Sequence, residues 1–314
     1  VRLARNWGAP EDSKAPFGHY VKTTPEAVSC QPNADYIRSS FVYTKVDDRD
    51  WFPNPPPPAY PRVAPAKEPK LEWTRQLLFV KDPDPAGPAY IVVRDTTRGG
   101  QPTAWQFWTL SEKIGAPAQT ASLEAFLADQ PGQKLAPARE LPPGDRYTAI
   151  GQFGTDTDYF IVGPTETPRH TLRYGGTYGR VPEYQDLLHL QLPGDGTYFV
   201  VLFPRPRGEA APTFTRLADG KGVRIEGPWG TDIVFLAPAP FEFAEGGTRF
   251  NGSVGLIQRR GQKVHFTLGA EGRVEDGGQS AERRGGRAQA PAPPGGTRAA
   301  SAAVGSQAGK RQAK

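Results

Sequence analysis

The chain has 314 residues, 36 of them glycine and 34 proline, with one cysteine, no methionine and a formal net charge of +5. Such dense punctuation points to many turns and few helices, the lone Cys30 excludes an internal disulfide framework, and no run approaches the roughly 18 apolar residues that span a bilayer. The charge does not mark a nucleic-acid binder: residues 271–314 hold eight basic and four acidic residues, so only +1 is left for residues 1–270, and the excess belongs to a tail that reads as solvated and disordered.

Residues 1–34 carry Pro10, Pro16, Gly18, Pro25 and Pro32 with no clear period, and read as an irregular segment. The sequence opens at Val1 without the basic-then-apolar pattern of a signal peptide, and the missing initiator is expected of a processed chain or of a fragment lacking an upstream portion. Within this segment His19 and Tyr20 follow Gly18 in a loop-like stretch. A His and a Tyr have the chemistry for acid and base work beside a carboxylate, and loops carry sites more often than sheets do. Neighbours on an extended chain nevertheless point to opposite sides.

Tyr36 to Val46 alternates as a strand does, ended by Asp47 and Asp48. The segment from Trp51 to Pro69 contains four consecutive prolines, Pro55 to Pro58, and is expected to be an extended loop over a sheet, with recognition by an aromatic-groove domain as the alternative. Trp51 stands in this polar loop and is the tryptophan singled out as a sugar platform, because Trp7, Trp105, Trp108 and Trp229 are better used filling a core.

The stretch from Trp73 to Leu110 organises the chain. Trp73–Lys81, Tyr90–Asp95 and Trp105–Leu110 are short runs of β-branched and aromatic residues closed by Pro, Gly or Asp, which predicts consecutive antiparallel strands. Tyr90 to Val93 is apolar at every position, so this strand should be covered on both faces. In the third run Trp105, Phe107 and Thr109 fall on one face and Gln106, Trp108 and Leu110 on the other.

Thr120 to Gln130 is the only helical-looking patch, and Gly132 to Gly144 is a proline-rich connector suited to a boundary between two sheet regions. Strands resume at Tyr147–Phe153, Tyr159–Val162 and His170–Tyr174. Leu187 to Leu192 alternates with Leu188, Leu190 and Leu192 on one face, and this favours a strand over a helix starting at Pro182. Gly194-Asp195-Gly196 then predicts a hairpin with Tyr198–Phe203. Residues 222–226, 232–236, 248–258 and 263–268 supply four more strands.

The expected fold is therefore an all-β antiparallel sandwich over residues 35–270, with two packed sheet regions, a sub-boundary near 130–145 and a disordered basic tail over 271–314. Phosphate loops, dinucleotide glycine signatures and nucleophile elbows are missing from the sequence. Its four histidines, His19, His170, His189 and His265, are isolated, none paired with another at i+2 or i+4. The last three sit in alternating runs and read as ordinary sheet histidines, although strands from different places can meet. No metal and no cofactor is expected.

The segments Arg75–Lys81, Tyr90–Asp95, Trp105–Trp108, Gln185–Leu190, Tyr198–Pro204 and Gly230–Leu236 resemble, in order and pattern, the C-terminal β-sandwich region of heparinase II/III-like polysaccharide lyases, over residues 35 to 270. The resemblance implies an acidic polysaccharide as substrate and an extracellular or periplasmic setting. It also implies a partner domain, an N-terminal helical toroid whose Asn, His and Tyr residues neutralise the uronate carboxylate, take the proton and assist the leaving group in β-elimination. No long amphipathic helices are present here, and the early sandwich strand that carries the family's site histidine is not recognisable, so the resemblance assigns no catalytic residue. His19, Tyr20 and Trp51 remain the candidates for substrate contact. The first expectation is the sandwich portion of such a lyase, inactive alone. The alternative is a noncatalytic carbohydrate-binding or structural sandwich, and a charge-driven nucleic-acid binder ranks last.

Overall fold

Aromatic and β-branched residues at alternate positions build eighteen strands, β1 to β18, in the structure, a computed structural model that describes residues 24–43, 71–128, 136–178 and 181–284. Eleven of them form one antiparallel sheet in the order β1-β2-β3-β4-β11-β8-β7-β5-β10-β9-β6. Its members are β1 (Thr24–Cys30), β2 (Ala34–Tyr43), β3 (Leu71–Val80), β4 (Tyr90–Arg98), β5 (Thr103–Gly115), β6 (Ala136–Glu140), β7 (Arg146–Gly151), β8 (Thr155–Gly163), β9 (Arg169–Tyr178), β10 (Val181–Leu192) and β11 (Gly196–Pro206). The second sheet takes β12 (Thr213–Leu217), β13 (Gly222–Gly227), β14 (Gly230–Glu245), β15 (Thr248–Arg260), β17 (Gly272–Asp276) and β18 (Gln279–Arg283) in sequence order, with β16 (Lys263–Leu268) also paired to β15.

The sheets pack face to face, as the sequence predicts: Leu78, Val92, Phe160 and Val201 of the larger meet Val223, Val234 and Leu256 of the smaller in one buried cluster. The larger sheet also curls over itself. Thr103–Leu192 to Leu110–Gln185 pairs the beginning of β5 with β10, whereas Ser111 to Gly115 of the same strand pair with β7. β5 and β11 stand three places apart, yet the Tyr198 hydroxyl donates to the Thr103 carbonyl at 2.7 Å. The fold-over lays β5 and β10 across β4, β11 and β8, burying Trp105, Leu188 and Leu190 against Val93, Tyr159 and Val200. β4 is thus covered on both faces, with Tyr90 and Val92 in one core and Val93 in the other. A third cluster lies on the smaller sheet, where the rings of Phe235 and Phe250 stack at 4.4 Å.

A row of side chains fastens the two sheets. Arg38, Gln76 and Arg94 are register neighbours on β2, β3 and β4. They donate in turn to the carbonyls of Pro238 at 3.4 Å, Ala237 at 3.0 Å and Leu236 at 2.9 Å. The three carbonyls follow one another where β14 loses register with β15, between Leu236 and Phe241. A bulge takes carbonyls out of the ladder, and buried carbonyls need donors. Arg94 also donates to Gly220 O at 3.0 Å, and burial brings its pKa down to about 10.

Several expectations are corrected. β10 and β11 are not a hairpin, since β10 lies between β5 and β9 and β11 between β4 and β8. The Gly194-Asp195-Gly196 turn instead carries the chain from one layer to the layer beneath it, and is pinned by Gly100 N donating to Asp195 Oδ1 at 2.6 Å. Likewise β5 is not beside β4. Alternation fixes which face a residue occupies but not which strand lies next to it. The irregular N-terminal segment contains β1, an edge strand whose Pro25 adjoins a register shift, the kind of position where a missing N–H is tolerated. Beyond residue 270 the chain still forms β17 and β18, joined by Gly277 (φ 56) and Gly278 (φ 77), the left-handed pair that a tight hairpin turn requires. Buried Val274 anchors this hairpin, and Arg259 donates to Asp276 Oδ2 at 2.8 Å. The excess basic charge therefore narrows to residues 285–314, which hold five basic residues and no acidic one, so residues 1–284 are formally neutral. The helical patch is two short helices, α1 (Pro117–Thr120) and α2 (Leu123–Leu127), and the proline-rich connector does not divide one sheet from another, because β5 and β7 on either side of it are paired.

Candidate functional site

Strand pairing brings together two histidines that the sequence keeps 19 positions apart. His170 of β9 and His189 of β10 are direct register partners, their ring centroids 6.4 Å apart at 76°. Alternation places both on the same face of the folded-over layer, opposite the face that Leu188 and Leu190 turn to the core. The row continues in both directions: Gln106 of β5 is the partner of His189, and Glu140 of β6 the partner of His170. Glu140 is exposed, His170 is 4% exposed and His189 is 1% exposed. The row therefore runs from solvent at the sheet edge into the interior.

Gln106 Nε2 lies 3.2 Å from His189 Nδ1. An amide nitrogen can only donate, so Nδ1 accepts and neutral His189 carries its proton on Nε2. Burial, reinforced by the neighbouring His170, holds the pKa of His189 well below the ordinary histidine value. Burial also lowers His170, against an opposing pull from Glu140. Both rings are therefore harder to protonate than an ordinary imidazole, and the pair takes up protons from the acid side.

Two other polar groupings are closed structural units. Tyr90 donates to Asp232 Oδ2 at 2.8 Å, and Arg260 reaches Asp232 at 2.8 Å and Asp82 at 2.5 Å, tying the β3–β4 turn to β14 and β15. Burial, then the charge of Asp232, push the Tyr90 phenol upward, so it stays a donor. Arg173 grips Asp186 with two bonds of 2.8 and 2.7 Å, and Ser111 donates to the same carboxylate at 2.8 Å. Asp186 and Asp232 each face an arginine and a hydroxyl, an arrangement that holds geometry and leaves no free base. Among the described residues no group of three or more His, Cys, Asp or Glu side chains converges to hold a metal ion.

His19, Tyr20 and Trp51 lie outside the described residues, as do Pro55 to Pro58. Of the tryptophans expected in the core, Trp105 is 2% exposed and Trp229 is half-buried, stacked on Phe203 at 5.3 Å. His265 sits on β16 opposite Gln258, away from the pair. Spacing along the chain cannot reveal His170 and His189 together. The signal that can is charge: Arg173 and Asp186 are partners in the same β9–β10 register, and pairing them by sign sets His170 against His189.

No protein-family model matches this chain, and no curated protein matches it. Among solved structures, the heparan sulfate lyase HepC from Pedobacter heparinus is similar over 79% of this chain at 12% identity, with a TM-score of 0.38. The chain spans 28% of the length of that protein's chain.

Proposed function

We propose that this chain is the C-terminal β-sandwich portion of a heparinase II/III-like polysaccharide lyase, which acts on a uronic-acid polysaccharide by β-elimination and needs a helical domain to do so. One observation carries the reading. The six segments in which the sequence resembles that family are all strand segments, and five of the six strands involved (β3, β4, β5, β10 and β11) are interior members of the larger sheet, the sixth being β14 at the heart of the smaller. The resemblance therefore follows the architecture and is not scattered over loops. The test is absorbance of the unsaturated uronate product on heparan sulfate and other acidic polysaccharides. The chain alone is expected to give no turnover, and the same chain joined to a helical toroid domain is expected to give it. Turnover by the isolated chain defeats the proposal.

One feature favours a second reading, a noncatalytic carbohydrate-binding sandwich. Phe153, in the β7–β8 turn, is 63% exposed, the most exposed large apolar side chain among the described residues. An aromatic ring held out on a short turn between paired strands suits stacking on a sugar face. Affinity electrophoresis in gels containing polysaccharide decides: retardation that Phe153→Ala removes supports this reading, and retardation that the substitution leaves intact counts against it.

A further inference from the structure

We propose that the His170–His189 pair is an acid-operated latch, holding β9 and the edge strand β6 against β10 at neutral pH and releasing them on acidification. The inference is independent of the lyase reading. It rests first on geometry. Two imidazoles are set directly opposite each other across one strand pair, 6.4 Å apart, and both are almost wholly buried. A proton on either ring places a cation where water solvates it poorly, and a second proton adds repulsion at short range.

The surroundings suit one charge better than two. On the face that carries the pair, β5 presents Gln106 opposite His189, β10 presents Leu187 and Gln191, β9 presents Leu172, and β6 presents Glu140 opposite His170. Glu140 is the carboxylate set beside the pair, and it is exposed at the rim. Glu183, on the same face of β10, stands six residues from His189, roughly 20 Å along the strand. Across the sheet, on the core face of the same strands, lie Arg169, Arg173 and Asp186, and Asp186 is already held by Arg173. Glu140 can answer a proton on His170 directly, whereas it stands one strand further from His189.

The release has an obvious place to occur. β6 is the last strand of the sheet, joined to β9 through Ala136, Arg139 and Glu140 with a register break after Ala136. An edge strand with broken register is the region of a sheet that opens at least cost.

Amide hydrogen exchange read by mass spectrometry on the full chain tests this, with rates corrected for intrinsic pH dependence. Between about pH 7.5 and about pH 5, protection of residues 136–140 and 169–173 should fall on the order of tenfold, while β3, β14 and β15 keep theirs. In His189→Gln, which places a neutral amide in the same space, that loss should disappear. Should this variant fail to fold, histidine carbon chemical shifts of the wild-type chain provide the check: the titration of the two buried rings must coincide with the loss of protection. Unchanged protection at acid pH, loss spread evenly over both sheets, or equal loss in His189→Gln would each overturn the proposal.

Discussion

Gln76→Met is the most direct test of how the two sheets are fastened. The Gln76 amide is 1% exposed and donates to Ala237 O at 3.0 Å and to the Tyr36 hydroxyl at 3.1 Å. Methionine keeps the length and the apolar contacts and removes both donors. It strands a carbonyl that the β14 bulge has already taken out of its ladder, at a cost of about 1–3 kcal/mol, and the lost bond to Tyr36 adds about 1 kcal/mol. Against this, a buried amide no longer has to be desolvated, which returns about 1 kcal/mol. The net expectation is a destabilisation of about 2 kcal/mol. Tyr36→Phe removes only the second bond and should cost about 1 kcal/mol, so the pair forms a double-mutant cycle in which coupling of about 1 kcal/mol is assigned to the Gln76–Tyr36 bond and the remainder to Ala237. Urea unfolding followed by tryptophan fluorescence and by far-ultraviolet circular dichroism provides the numbers, with coincidence of the two curves checked first. A loss below about 0.5 kcal/mol for Gln76→Met would refute the claim that the bulge depends on donors from the other sheet.

Further outcomes follow from the other buried groups. Arg260→Met leaves the Asp82 and Asp232 carboxylates, 2% and 0% exposed, without their shared cation, and should cost about 3–5 kcal/mol in the same unfolding assay. The folded-state pKa values of His170 and His189 are both depressed, so the unfolded chain binds more protons than the folded one. The stability this represents is fully present above the ordinary histidine value near 6.5 and is lost as pH falls through it toward the folded values. Urea midpoints across that range should decline in the wild-type chain and stay flatter in a His170→Gln/His189→Gln double variant.

Much of the architecture is legible in local pattern. The unbroken apolar run from Tyr90 to Val93 predicts a strand with two covers, and it has them, because burial on both faces leaves no position for a polar side chain. The alternation in Trp105–Leu110 and Leu187–Leu192 assigns each side chain to its observed face. What local pattern does not contain is the order of strands. Val93 pairs with Val200, and no periodicity in either segment points to the other. The Gly194-Asp195-Gly196 turn is equally suited to a hairpin and to a step between layers, and only the sheet as a whole decides. The histidine pair is hidden for the same reason as the strand order, since it exists only once β9 and β10 are in register. β17 and β18 escape notice because a single buried valine and long-range polar contacts, among them Arg259 with Asp276 and Arg283 with the Leu268 carbonyl, hold a hairpin whose composition otherwise matches the polar, glycine-rich tail that follows.

The position of β11 between β4 and β8 has a consequence during synthesis. β4 leaves the ribosome with one flank closed by β3 and the other open, and the strand that closes it is encoded roughly a hundred residues further on. At about 5–20 residues per second, the nascent chain carries that open flank for several seconds or longer, displaying Ile91, Val92 and Val93 beside unpaired amides. This interval, rather than the finished fold, is where a cell must guard the protein against sticking to other copies of itself.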